Sequence, residues 1–151
     1  MTAITNVDSN RPARVLYLAF ELGWTKWNLA MTTGLGTAPR LRTIPARDVA
    51  ALENELVLAK RRFGLPADAR VESCYEAGRD GFWLHRYLAA QGVVNFVVDS
   101  ASIEVNRRAR RAKSDALDVG KLLSMLLRDR SGESNVWHVV RVPSVLGSRR
   151  P

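Results

Sequence analysis

Short apolar blocks alternate with polar breaks along this chain, and the spacing of the apolar positions changes from block to block. Val15–Phe20 is a continuous apolar run with Val, Tyr and Phe, which predicts a buried strand. Gly23 breaks it. A second run, Trp27–Thr33, ends in Thr-Thr-Gly-Leu-Gly at 32–36, and a third, Arg40–Ile44, stops at Pro45. Three strands this close together are hairpins, hence antiparallel. From Ala46 the period becomes helical, with Val49, Leu52, Leu56 and Ala59 on one side, until Gly64-Leu65-Pro66 stops it. Arg70–Tyr75 predicts a fourth strand, and Gly78–Gly81 a turn. Phe82–Gln91 predicts a helix with Trp83, Leu84, Tyr87 and Leu88 on one side and Gly92 as its stop. Val93–Val98 is a fifth, fully apolar strand. Ser114 is placed to cap a last helix from Asp115 to about Arg128, whose apolar positions are Leu117, Leu122, Leu126 and Leu127. Trp137–Val142 is a final short apolar run.

The element order is therefore β-β-β-α-β-α-β-α. Three antiparallel strands are followed by parallel strands reached through helical crossovers. This is the order of an α/β, ribonuclease H-like fold: a mixed five-stranded sheet with flanking helices, its strands running 3-2-1-4-5. A flavodoxin-like sheet is the structural alternative, but it needs a helix after the first strand, where this sequence has a hairpin. The expected layout is a flexible polar arm over residues 1–13, one domain over 14–145 and a divergent tail over 146–151.

Composition narrows the classes. The 151 residues suit one domain, and 46% hydrophobic with 25% charged residues is ordinary globular usage. No apolar run approaches the roughly 20 residues that span a bilayer. The N-terminal residues have no apolar signal region, which points to the cytoplasm. Cys74 is the sole cysteine, so no disulfide can form within the chain. The net charge is +8 and uneven: residues 1–100 hold 12 basic and 10 acidic side chains, and residues 101–151 hold 11 and 5. A basic half points to a polyanion, most often nucleic acid, although charge alone does not establish one.

Four carboxylates fall at suggestive places. Glu21 ends the first strand and Glu76 the fourth. Asp115 and Asp118 are expected in the first turn of the last helix, three residues apart and so on one face. If strands one and four are neighbours, Glu21 and Glu76 emerge side by side, and the helix after strand five can present both aspartates to the same point. Four convergent carboxylates repel one another unless a cation sits among them, and hard oxygen donors suit Mg²⁺ or Mn²⁺. Two such ions would activate a water and stabilise the leaving oxygen of a phosphodiester. The competing reading gives Asp115 and Asp118 only a role at the positive end of the helix dipole. Asp80 is expected to be a turn residue, and Asp99 a helix or turn cap.

Arg107, Arg108, Arg110, Arg111 and Lys113 place five cations in seven residues directly before the aspartates. Such a cluster can hold a phosphate backbone, with Arg supplying bidentate hydrogen bonds. The bland alternative is a solvated basic loop. Of the tryptophans, Trp83 and Trp137 lie in apolar patterns and are expected in the core, while Trp24, in a turn beside Glu21, is open to stacking on a base. His85, His138 and Cys74 are isolated from one another and are expected to be packing or surface residues. Gly34-Leu35-Gly36 is a hairpin turn, since neither a helix nor Lys-Ser/Thr follows.

The stretches YEAGRDGFWLHRYL (75–88), VVDSASIEVNRRARRAKSDALDVGKLL (97–123) and WHVVRVPS (137–144) resemble the N-terminal catalytic domain of DEDD-type transposases, the RuvC-like recombinases of bacterial insertion sequences of the "IS one-ten" group. The resemblance covers roughly residues 15–145. It implies DNA transposition through metal-dependent strand cleavage and transfer, with Glu21, Glu76, Asp115 and Asp118 as catalytic metal ligands for Mg²⁺ (or Mn²⁺). It also implies DNA as partner, a structured guide (bridge) RNA, and homo-oligomers in full-length relatives. There are two departures. The first acid is Glu21 where the family has Asp. The family also continues into a second domain carrying a nucleophilic serine, whereas this chain ends at Leu146-Gly-Ser-Arg-Arg-Pro151, so the expectation is a truncated and incomplete enzyme. Ser144 and Ser148 are not candidates for that nucleophile. The functional alternative is a non-catalytic nucleic-acid-binding remnant, against which the four carboxylates argue.

Overall fold

The computed structural model describes residues 14–78, 81–103 and 118–143. The expected arm at 1–13, the basic cluster with Asp115, Asp80 and the tail at 146–151 lie outside the described residues. The described elements are β1 (Val15–Leu22), β2 (Lys26–Thr32), β3 (Arg40–Pro45), α1 (Val49–Arg62), β4 (Arg70–Glu76), α2 (Trp83–Ala90), β5 (Val94–Val98) and α3 (Val119–Arg130).

The five strands form one sheet in the order β3-β2-β1-β4-β5, the predicted sequence of neighbours. β1 pairs antiparallel with β2, and β2 with β3. β1 pairs parallel with β4, and β4 with β5. The reason lies in the connections. The β1–β2 turn is too short for a crossover, whereas α1 gives the chain the length to return and lay β4 parallel to β1.

Side chains alternate across the sheet and divide the core in two. Leu16, Leu18, Phe20, Trp27, Leu29, Met31, Val71, Tyr75 and Val97 pack on one face beneath Leu52 and Ala59 of α1 and Leu84 and Leu88 of α2. Phe20 sits edge-on to both Trp27 and Tyr75, with ring centroids 6.0 and 6.3 Å apart. Ala19, Ala30, Cys74 and Val98 line the other face, under Val119, Leu122, Leu123, Met125 and Leu126 of α3. The small residues Ala19, Ala30 and Cys74 let α3 lie close to the centre of the sheet. Burial without a countercharge pushes the Cys74 thiol far up, so it is a packing residue, as expected.

The helix ends follow local chemistry. α1 begins at Val49, three residues later than the periodicity suggested, because the Asp48 carboxylate accepts the Ala51 N–H at 3.0 Å and caps it. α2 stops where predicted: Gly92 has φ +85°, and the Val93 N–H returns to the Leu88 carbonyl at 3.0 Å. The Trp137–Val142 run forms no full strand. It makes a single antiparallel bridge, Val98 to Val139, flanked by Asp99 N–H to His138 C=O and Val140 N–H to Val97 C=O, both 2.7 Å. That is enough to cover the β5 edge.

Two polar clusters fasten the layers. Glu72, 5% exposed on the α3 face of β4, accepts from Arg70 Nε and from Arg130 Nε, each at 2.8 Å. The Arg130 guanidinium also lies 4.8 Å from the Phe96 ring centroid, so the last turn of α3 is tied to the sheet. On the opposite face Ser73 donates to Asn95 Oδ1 at 2.6 Å, and Asn95 Nδ2 lies 3.0 Å from His85 Nδ1. His85 is thus a packing residue, as expected. Burial, and secondarily the neighbouring Arg86 charge, hold its pKa below the usual 6.5.

Glu72→Ala leaves two guanidinium groups without their carboxylate and should cost about 2 kcal/mol in a urea melt, more than loss of either arginine alone. His85 gives a pH dependence. The unfolded chain takes up its proton more readily than the folded one, so this contribution to stability is complete above pH 6.5 and is lost as pH falls through the lower folded value. In His85→Gln, the fall in melting temperature between pH 7 and pH 5 should be smaller than in wild type.

Candidate functional site

The site grows from the junction of β1 and β4. Their last registered pair is Phe20 with Tyr75, and the next residue along each strand is Glu21 and Glu76. Both glutamates lie within their strands, Glu21 as the penultimate residue of β1 and Glu76 as the last of β4. By alternation they share a face with Ala19 and Cys74, which is the α3 face. Two carboxylates therefore stand at the same register step and on the same side of adjacent parallel strands. This is the juxtaposition that the 3-2-1-4-5 order requires.

The hairpin strands hold Glu21 in place. Its cross-strand partner is Asn28, and the partner of Asn28 on β3 is Thr43. The three side chains form a chain across the sheet: Thr43 Oγ1 donates to Asn28 Oδ1 at 2.8 Å, and Asn28 Nδ2 donates to Glu21 Oε1 at 2.8 Å. The Thr43 bond fixes which end of the Asn28 amide faces the carboxylate, so Asn28 can only donate to it. Sequence reasoning missed Asn28 and Thr43. The available signal was register, since a β1–β2 hairpin closed around Gly23 places Asn28 opposite Glu21.

α3 runs antiparallel to β1 and β4. Its Leu122 carbonyl lies 4.0 Å from the Cys74 sulfur, and Arg130 reaches Glu72 further back along β4. From Leu122 back to Asp118 is four residues, about 6 Å of helix. From Cys74 on to Glu76 is two residues, about 6.6 Å of strand. The start of α3 therefore lies at the level of Glu76. Val119 also lines one hollow with Asn28 and Thr43, which places it beside the Glu21 cluster.

Asp118 itself differs from expectation. α3 begins at Val119, and Asp118, with ψ 134°, is its N-cap and not a first-turn residue. Its Oδ1 accepts the Gly120 N–H at 2.9 Å. The helix starts four residues later than predicted because Ser114 and Asp118 are both capping residues, and Val119 begins the buried stripe Val119, Leu122, Leu123, Leu126. Asp118 therefore stands at the edge of the helix and not within its first turn. Asp115, Ser114, Arg107, Arg108, Arg110, Arg111 and Lys113 lie outside the described residues.

The donors at this end, carboxylate and amide oxygens, are of the kind that bind hard cations. Among the described residues, however, no three His, Cys, Asp or Glu side chains come close enough together to hold a metal ion. Glu21, Glu76 and Asp118 do not close a coordination shell by themselves. Asp99 is a cap, as expected: its Oδ1 accepts the Ala101 N–H at 3.0 Å and starts the helical turn at 100–103.

The tryptophans divide in part as expected. Trp137 is buried, and Trp24 is 67% exposed at the β1–β2 turn. Trp83 corrects its assignment to the core: one side meets Trp27, with ring centroids 6.0 Å apart and a 30° tilt, but the residue is 36% exposed. His138 is exposed, and Gly36, with φ +86°, lies in the β2–β3 turn. Among the described residues no helix is long and apolar enough to cross a membrane.

No family model matches the chain. A curated protein does. The chain is 36% identical over 136 residues to the protein named "Putative transposase y4rJ" from Sinorhizobium fredii (strain NBRC 101917 / NGR234). The match takes in 85% of this chain and 33% of that protein, so the chain spans about a third of the length of the relative it matches. The likeness supports a transposase.

The two roles open to Asp118 separate by substitution. Asp118→Ala should cost about 1 kcal/mol through loss of the cap, whereas Asp118→Asn, an equally good cap, should leave the metal-free melting temperature close to wild type.

Proposed function

We propose that this chain carries the catalytic domain of a DEDD-type transposase with a ribonuclease H-like (RuvC-like) fold, which cuts and joins DNA strands with Mg²⁺ or Mn²⁺. The observation that carries the reading is the pairing of β1 with β4, which puts Glu21 and Glu76 side by side, together with the arrival of the α3 start at the same end. The transposase likeness of the homologous third of a longer protein supports it independently.

In this reading Glu21, Glu76 and Asp118, with Asp115 from the preceding segment, hold the metal. An ion held by these carboxylates would supply the positive charge that activates an attacking water or hydroxyl and stabilises the leaving oxygen. The protein's own residues prepare that site. Asn28 and Thr43 restrain the longer side chain of Glu21. Asp118 has one oxygen committed to the Gly120 N–H, which fixes the direction of the other. Arg107, Arg108, Arg110, Arg111 and Lys113 hold the phosphate backbone, drawing DNA or a guide RNA to the carboxylates.

A non-catalytic binding module is the second reading. It is favoured by the capping role of Asp118 and by the lack of a closed carboxylate group among the described residues.

Thermal melts of wild type, Glu21→Gln and Asp118→Asn, with and without millimolar Mg²⁺, decide between them. Mg²⁺ should raise the wild-type melting temperature, because a ligand that relieves repulsion among carboxylates favours the folded state. Each substitution should remove most of that rise. A wild-type melt indifferent to Mg²⁺ and Mn²⁺ makes the chain a binding module. Both readings require nucleic-acid binding that weakens with salt. Replacing the four arginines by Ala should flatten the salt slope by about one unit for each phosphate that the chain no longer neutralises.

A further inference from the structure

The tip of the β1–β2 hairpin has a use that the carboxylate site leaves unexplained. The Gly23 N–H donates to the Lys26 carbonyl at 3.0 Å, and the turn is so tight that a Cβ on Gly23 would sit 2.7 Å from that oxygen. The β3–α1 corner grips the tip from the side. Thr25 C=O accepts the Ala46 N–H at 2.9 Å, and Trp24 C=O accepts from the Arg47 guanidinium at 3.2 Å. Arg47 makes this contact from a left-handed backbone, φ +66°, which is costly for a residue with a side chain. The turn is thus held through its backbone on two sides, while the Trp24 side chain stands 67% exposed. A turn whose backbone is already held lowers the entropy that a partner must remove when it binds there.

Its surroundings indicate the partner. Exposed Lys26 and Arg47 flank it, giving the tip positive charge. Trp83, backed by Trp27, adds a second partly exposed indole at the hairpin end of the sheet, the end that also carries Glu21. Exposed aromatic rings near cations make a surface that binds unpaired nucleotides: the ring stacks on a base and the cations meet the backbone. A duplex hides its base faces, so such a ring selects a single strand or a frayed end.

We propose that Trp24 is a stacking platform for an unpaired nucleotide base, with Arg47 as the residue that positions its turn. This rests on the nucleic-acid reading above and adds to it the strand form and the residue that recognises it.

The test uses the full chain and fluorescence anisotropy with short labelled thymidine strands, uridine strands and a mixed-sequence duplex. Trp24→Ala should weaken binding to single strands of either sugar roughly tenfold, leave duplex binding within about twofold, and leave the chain folded by circular dichroism. Trp24→Phe keeps a ring and should retain most of the affinity. Saturation with unlabelled single strand should quench tryptophan emission in wild type, and less in Trp24→Phe. If wild type binds single strands and Trp24→Ala binds them equally well, the platform is refuted while the transposase reading stands. An equal loss on single strand and duplex also refutes it, because the indole is then not meeting a base face. If wild type binds no nucleic acid, both readings fall, and a Trp24→Ala change in oligomeric state by sedimentation would make the indole a protein contact instead.

Discussion

The pairing of β1 with β4 is the constraint on which the rest of the structure depends. Among the described strands, β1 is where the antiparallel hairpin ladder meets the parallel one. Everything before it in the sheet order is a hairpin, and everything after it arrives through a helix. Its buried residues face two cores at once: Leu16, Leu18 and Phe20 meet the α1 and α2 layer, and Ala19 meets α3. A shift of one residue along β1 would exchange these sets, exposing leucines under a helix that has room only for Ala19, Ala30 and Cys74. The register is therefore held by volume on both faces, and the positions of Glu21 and Glu76 follow from it.

The second core does the placing. α3 crosses the face where β1, β2 and β4 present their smallest residues, and its direction is fixed at both ends. At its last turn Arg130 is held by buried Glu72 and by the Phe96 ring. At its first turn Asp118 supplies the cap, and Val119 lines one hollow with Asn28 and Thr43. A helix fastened by its tail to the middle of β4 must bring its head to the carboxyl ends of the strands. A buried carboxylate far from the proposed chemistry thereby sets which residues can approach it.

Glu21 shows how a longer side chain is accommodated at such a place. A glutamate carries one more rotatable bond than an aspartate and more freedom to lose. The Thr43–Asn28–Glu21 chain removes much of that freedom using residues of two neighbouring strands. The hairpin that supplies Asn28 also ends in the clamped turn that presents Trp24. One short connection, closed by Gly23, thus places Asn28 beside a carboxylate on the sheet and an exposed tryptophan at its tip.

By itself the sequence determined the element order, most strand bounds to within a residue or two, and the candidacy of Glu21 and Glu76, because apolar period, turn residues and crossover length act locally and leave few alternatives; the sheet order, expected by analogy with the fold that has this element order, is the one observed. It pointed to Trp24 as the open tryptophan, since that residue stands in a polar turn outside the apolar patterns. It did not locate the start of α3, because Ser114 and Asp118 are equivalent caps and only burial of Val119 against the sheet favours the second. Nor did it distinguish Trp83, whose apolar neighbourhood is real but whose outer side no described element covers. The Glu72 clamp, the Ser73–Asn95–His85 chain and the Thr43–Asn28–Glu21 chain were decided by tertiary structure alone. Each joins side chains that become neighbours only when strands pair and a helix docks, and no pattern along one segment records a contact made across three.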